Sequence, residues 1–366
     1  MNVYLDYAAT TPLKPEVLEA MLPVLKEDFG NPDSLHAYGR KGAEYVMRAR
    51  DEIASLLGVL PAEVYFTSGG TEADNWAVRC MGEGNVLISA IEHAAALSAA
   101  PLRGSGKYRT LPVDSDGILS MTDLDGTMSE EIGLICAMAV NNETGCIQPI
   151  EELAAFAHGR GTYLFSDCVQ AVCSQDMKKL AAVADGISLS AHKIGGPKGV
   201  GALIVKKGVP IKPLIAGGEQ ERSLRGGTLN VAGIVGFARA LKITLAEREI
   251  FCAHTGRLRD LFEGKLRSAL GHGMRVDGEN RASNISHVTF ERGGEALLNL
   301  LDLKGVAASG GAACSAHAAL PSHVMLAMGR TAQEAKKGVR FSFGLETTEE
   351  DALFAANTVI DCLNRF

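Results

Sequence analysis

The chain predicts an α/β fold: a mainly parallel central sheet with helices on both faces, plus a smaller α+β C-terminal domain. Three observations carry this expectation. Short, almost wholly apolar segments recur with helical stretches between them, as strands buried on both faces require. Polar residues gather just after those segments. From Ala238 to Leu270 the pattern turns into one long, charged amphipathic helix that reads as the link to a second domain.

The elements follow in order. Val64-Tyr65-Phe66-Thr67 reads as a strand running into Ser68-Gly69-Gly70-Thr71-Glu72-Ala73, the opening of a helix. Asn85 to Ser89 leads to Glu92-His93, and Ile132 to Val140 leads to Asn141-Asn142-Glu143-Thr144-Gly145. Thr162 to Phe165 ends at Ser166-Asp167, Gly186 to Leu189 ends at Ser190-Ala191-His192-Lys193, and Val200 to Val205 is one more strand. Beyond the long helix come strand-like Asn284 to Phe290, a helix over Glu295 to Leu303, and strand-like Gly338 to Phe343. A final helix, Thr348 to Leu363, opens with Glu349-Glu350-Asp351, acidic where a helix N-terminus favours anions. The expected division is a large domain over 13–245 and a small domain from 1–12 and 246–366.

Ligands of open α/β sheets bind beyond the C-terminal ends of the strands. Thr71, His93, Asn142, Asp167, Gln170, Ser190, His192 and Lys193 are therefore expected to converge although they are distant in sequence.

Composition narrows the function. With 366 residues the chain can hold two domains, and 46% hydrophobic with 22% charged residues is ordinary for a globular protein. A net charge of −7 argues against a nucleic-acid surface. No signal peptide is visible at the N-terminus, and no run reaches the ~20 apolar residues of a membrane span. Eight cysteines without a CxxC pair fit neither a zinc site nor a disulfide framework, so a cytoplasmic protein with reduced thiols is expected. His317 and His323 lie near Cys314, but with no second cysteine nearby no metal site is expected.

Lys193 is the most informative residue. It sits between an apolar run and Gly195-Gly196-Pro197-Lys198-Gly199, next to a histidine. A lysine held on a tight backbone suits a Schiff base to pyridoxal phosphate, although the same segment reads as an ordinary loop. Ser68-Gly69-Gly70-Thr71 reads either as a helix cap or as a phosphate cradle of backbone N–H groups. Asp167 is an N-cap, a surface acid, or the partner of a pyridine nitrogen. His93 is a core histidine or a ring stacked on a cofactor that moves protons near neutral pH. Arg340 is a surface strand residue or a bidentate partner for a substrate carboxylate. Arg222-Ser223-Leu224-Arg225-Gly226-Gly227-Thr228 is a solvated loop or one that reaches a phosphate. Cys314 lies in a bare stretch, Ala308 to His317, which suits an accessible nucleophilic thiol; the other seven cysteines are expected in helical or strand-like runs.

Together these segments resemble the cysteine desulfurases, pyridoxal-phosphate enzymes of the class V aminotransferase family with fold type I. The resemblance covers nearly the whole chain: Tyr4 to Pro12, Phe29 to Pro32, Phe66 to Asn75, Glu92-His93, Asn141 to Gly145, Asp167 with Gln170, and the lysine segment. It continues through Gly217 to Arg222, Arg225 to Thr228, the Cys314 loop and Val339 to Ser342. It implies that Lys193 holds the cofactor and moves the substrate Cα proton, with Asp167 on the ring nitrogen, Gln170 on the ring hydroxyl and His93 stacked on the ring. Gly70, Thr71, Ser190 and His192 would cradle the phosphate, with Thr228 supplied by the neighbouring subunit of a homodimer. Asn142 and Arg340 would hold the carboxylate of L-cysteine. Cys314 would take the sulfur as a persulfide, leave L-alanine, and pass the sulfur to an acceptor protein in iron–sulfur cluster assembly or tRNA thiolation.

The Cys314 loop, with Pro321-Ser322 after it, resembles the longer loop of the NifS/IscS-like branch. Ala312, Leu320 and Cys168 depart from the family pattern, and these departures leave the acceptor open. A selenocysteine lyase or another β-lyase sharing the pocket is the alternative activity.

Overall fold

The computed structural model describes residues 2–128, 131–310 and 320–366. Cys314 and His317 lie outside the described residues.

Twelve strands occur among the described residues: β1 (Val3–Tyr4), β2 (Val64–Thr67), β3 (Asn85–Ser89), β4 (Tyr108–Leu111), β5 (Ile132–Cys136), β6 (Tyr163–Asp167), β7 (Gly186–Ser190), β8 (Gly201–Val205), β9 (Met274–Val276), β10 (Ile285–Phe290), β11 (Val306–Ala307) and β12 (Gly338–Ser342). The central sheet has seven strands in the order β2-β8-β7-β6-β5-β3-β4. Every residue of β7 and β8 is buried, which is why these segments read as continuous apolar runs rather than alternating ones. The expected sheet is there, with one correction. β8 runs antiparallel to both β7 and β2. The connection 191–200 between β7 and β8 is shorter than the dozen or so residues a parallel crossover needs, so the chain turns back on itself.

The chain runs outward from β3 to β4 and then returns to the other side of β3 as β5. The order reverses there, and the crevice beyond β3 and β5 is where a ligand site is expected. β5 ends at Cys136, four residues before the end of the apolar run; Ala137 to Val140 leave the sheet to build the crevice wall.

The second sheet is β12-β10-β9, antiparallel throughout, and β1 pairs with β11 in parallel. Its apolar face forms a separate cluster around Phe262, Phe341 and Phe343, whose rings pack at 4.7 and 5.8 Å between centroids from Phe262. The long helix, Val231–Leu270, is longer than the pattern indicated and serves both clusters: Phe237 and Leu241 enter the first, Leu258, Phe262 and Leu266 the second. The expected boundary at 245/246 falls within this helix. The final helix is Glu349–Leu363, with the Thr348 hydroxyl capping Asp351 N–H in a reciprocal capping box.

The cysteines also need a correction. Cys173 lies in a turn and Cys168 just past the end of β6, while Cys146 forms an isolated antiparallel bridge with Arg281.

Phe262→Ala should lower stability by about 3–5 kcal/mol, since both partner rings lose their packing. Equilibrium denaturant unfolding measures this; an unchanged midpoint would mean that the second cluster closes around the vacancy.

Candidate active site

The strand ends deliver the site. β2 runs into the helix Gly70–Cys80, and the turn between them can only be glycine. Gly69 has φ +152°, and a Cβ on Gly70 would lie 2.8 Å from Val169 Cγ2. On the facing strand, a Cβ on Gly201 would lie 2.8 Å from Gly69 Cα. The first helical turn is braced by Glu72, which accepts from Ser68 N–H at 2.9 Å and from both arms of Arg225 at 2.8 and 3.0 Å. Burial raises the Glu72 carboxyl, but these donors outweigh it and hold it below its ordinary value. Arg225 therefore braces the turn, and Arg222 donates to Val64 O at 2.9 Å while lying 4.0 Å over the Tyr65 ring. Arg225 is partly buried in this pairing, whereas Arg222 stays exposed beside the Tyr65 ring.

Lys193 closes the turn Ala191–Lys193 that follows β7, and its Nζ donates to Ala8 O at 2.7 Å and Ala9 O at 2.8 Å. The N-terminal segment is thus laid over the lysine. It is fastened further by Gln170 Nε2 to Ala8 O at 2.8 Å, His192 Nδ1 to the Thr10 hydroxyl at 3.1 Å, and Thr11 Oγ1 to His192 O at 2.9 Å. Burial, Lys193 and Lys198 together push His192 down to about 4, so its ring is neutral near pH 7.

His93 caps the helix Ala94–Ala99. Its Nδ1 accepts from Ala95 N–H at 3.1 Å, which leaves the ring proton on Nε2. Asp167, the last residue of β6, is buried and accepts from Val169 N–H at 2.8 Å. Burial raises its carboxyl, opposed by Val169 N–H and by the charges of His93 and Lys193. Arg340 on β12 is 2% exposed; one arm donates to Asn142 O at 2.6 Å and the other to Asp6 Oδ1 at 2.7 Å, while Nε has no partner.

These groups line one cavity of about 690 Å³. Gly70, Thr71, His93, Asn142, Asp167, Gln170, Ser190, His192, Lys193 and Arg340 all face it. Thr228 does not line it and is exposed on the surface, and Cys314 lies outside the described residues.

Several residues were missed. Asp6 stood in a motif but carried no role. Asp74 and Ser188 also border Asp167: Asp74 is three residues past Thr71 on its helix, and Ser188 is two before Ser190 on its strand. Helical and strand periodicity place each on the face of an expected site residue. Glu92 is wholly buried, accepts Met138 N–H at 2.7 Å, and is pushed up to about 8 by burial.

The cavity fits pyridoxal phosphate. Its volume lies within the ~300–1,000 Å³ of small-molecule sites. A glycine turn at a helix N-terminus suits the phosphate, a buried carboxylate suits a ring nitrogen, and a lysine amine stands between them.

The chain matches the aminotransferase class-V family over residues 3–353. It is 40% identical to the cysteine desulfurase IscS of Dictyoglomus turgidum, over 100% of this chain and 94% of that protein. It is 43% identical to the cysteine desulfurase IscS of Methanosarcina thermophila, over 95% of this chain and 89% of that one. Among solved structures, a NifS-like protein superposes over the full length of both chains with a TM-score of 0.92 and 34% identity. DndA from Streptomyces lividans does so over 93% of this chain and 99% of its own, with a TM-score of 0.77 and 34% identity.

In the cofactor-free protein, an NMR titration should place the His192 ring near 4 rather than the ordinary 6.5. A depressed histidine binds fewer protons folded than unfolded, so its contribution to stability is lost as pH falls from 6.5 through 4. A midpoint near 6.5 would show that neither burial nor the two lysines lowers it.

Proposed function

The chain belongs to the aminotransferase class-V family and, within it, to the cysteine desulfurases, and we propose how its own residues turn L-cysteine into L-alanine. The cofactor is pyridoxal 5′-phosphate. The observation that carries the reading is the single cavity in which Lys193, Asp167, His93 and Arg340 meet. When bound, the cofactor supplies an electron sink that weakens the bonds at the substrate's α and β carbons.

The residues do the rest. Lys193 holds the cofactor and removes and returns the substrate Cα proton. Asp167 would hold the ring nitrogen, Gln170 the ring hydroxyl and His93 the ring face, with His93 Nε2 available to carry a proton. Gly70, Thr71, Ser190 and neutral His192 would hold the phosphate. Arg340 and Asn142 hold the substrate carboxylate, with the unpartnered Arg340 Nε offering a donor. The Cys314 thiolate attacks the substrate sulfur: an S–S bond forms, the C–S bond breaks, and the β carbon takes up a proton. Alanine leaves and Cys314 keeps a persulfide, which passes to an acceptor protein such as an iron–sulfur assembly scaffold or a tRNA-thiolation partner.

A homodimer is part of this proposal. Phe29, Leu35 and Tyr38 are 75, 91 and 61% exposed, far more than apolar side chains of an isolated surface require. Gln220 joins their loop to the Thr228 loop, donating to Asp33 at 2.5 Å and accepting from Gly227 N–H at 3.1 Å. One surface thus offers both an apolar face to a second copy and Thr228 to that copy's phosphate site. The division into domains at 245/246 and a cytoplasmic location complete the reading; no helix among the described residues is long and apolar enough to cross a membrane.

Incubated with L-cysteine, the purified protein should yield alanine, with one added sulfur on Cys314 by mass spectrometry. Lys193→Ala should lower the rate by roughly 10²–10⁴-fold, and Cys314→Ala should abolish persulfide and turnover. Sulfide released with Cys314→Ala still active would point to a lyase instead. Arg340→Ala should lower kcat/KM by about 10–150-fold, the worth of about 1.5–3 kcal/mol of charged hydrogen bonds.

A further inference from the structure

Ser188 and Asp167 are register partners on adjacent parallel strands, so both side chains leave the sheet on one face. Ser188 is wholly buried, and its hydroxyl lies 2.6 Å from Asp74 Oδ1. On that face the Ser188 side chain stands beside Asp167, whose carboxyl it helps to lower. Asp74 is 1% exposed. Two buried carboxyl groups therefore flank one hydroxyl, and a hydroxyl has one hydrogen to give.

The choice of recipient follows from the chemistry. A carboxylate facing a protonated ring nitrogen must stay ionised, and it is stabilised by every hydrogen bond it accepts. If Ser188 gives its hydrogen to Asp167, its oxygen must face a donor on the Asp74 side. Asp74 can donate only as a carboxylic acid. We propose that Asp74 is a positioning residue that works in its protonated form, donating to Ser188, which donates to Asp167 and holds it as the carboxylate beneath the cofactor ring.

The surroundings agree. The charged groups acting on Asp74 are Asp167 from β6 and Glu92 from the end of β3, both acidic. Cys136 on β5 and Cys168 after β6 face the same trio of carboxyl groups. The cationic neighbours, His93 and Lys193, act on Asp167. Burial and the Asp167 charge push Asp74 well above its ordinary value, in the direction of the protonated form.

The inference rests on Asp167 facing the ring nitrogen, and its test does not need turnover. Infrared spectra of the holoenzyme near pH 7, wild type minus Asp74→Asn, should show a protonated-carboxyl stretch lost in the variant. Glu92 contributes a second such band that cancels in the difference. Ser188→Ala should shift the Asp74 band, because its acceptor is gone. Asp74→Asn can still donate to Ser188, so the pH dependence of the bound cofactor's visible spectrum should be retained; in Asp74→Leu it should move to lower pH. Absence of an Asp74 band overturns the proposal. A band unmoved by Ser188→Ala also overturns it, and that comparison with wild type decides the matter even if Asp74→Asn fails to fold. Failure to make alanine would count against the activity alone.

Discussion

Strands β3, β5, β6 and β7 are covered on both faces, and a polar side chain placed along them without a partner would lose its water at a cost of several kcal/mol. Along these strands polar side chains are few before the ends: Ser188 is partnered by Asp74, and Ser166 is a buried hydroxyl without a hydrogen-bond partner among the described residues. Ser89, Asp167 and Ser190 are the terminal residues of their strands, and His93, Asn142 and Lys193 follow within a few positions. The sheet edge is therefore the place where many polar groups can gather without water, provided that they satisfy one another. That requirement explains why the site is dense in short hydrogen bonds before any ligand enters it.

The second constraint is attachment across the two sheets. Arg340 belongs to β12, Asn142 to the crevice beyond β5, and Asp6 to the N-terminal segment, yet one guanidinium joins all three. The N-terminal segment is in turn tied to Lys193 and His192. A substrate carboxylate that reaches Arg340 must share it with Asp6, so binding is coupled to the set of the N-terminal segment. Breaking a buried pair by removing one partner costs more than the pair contributes, which makes this junction intolerant of change.

Much of this was legible because each feature had a local cause. Lys193 and Asp167 follow apolar runs, and the Gly69-Gly70 turn stands between a strand and a helix. Other features had none. The direction of β8 depends on the length of a connection, not on its own residues. The turn at Glu221, Arg222 and Ser223 takes φ of 46°, 59° and 62° without a glycine. It is held by Glu221, buried against Arg50 and accepting Phe66 N–H at 2.9 Å, a tertiary clamp that overrides local preference. Asp74 is hidden in a helix whose charged residues otherwise read as solvent-facing. Cys314, proposed to take the sulfur, was read from the bareness of its neighbours and lies outside the described residues.

The shifts of His192 and Asp167 both begin with burial, which favours the neutral form of each. At the glycine turn, burial together with Lys193 and Lys198 keeps His192 neutral. At the other end, Asp167, Asp74 and Glu92 meet in a dry space, where burial and the Asp167 charge raise the cost of ionising the other two. A molecule with a dianionic phosphate at one end and a protonated ring nitrogen at the other relieves both costs in one orientation and worsens both in the reverse. The cavity thus favours one direction for such a molecule, and the Asp74 carboxyl proposed to stay protonated lies at its acidic end.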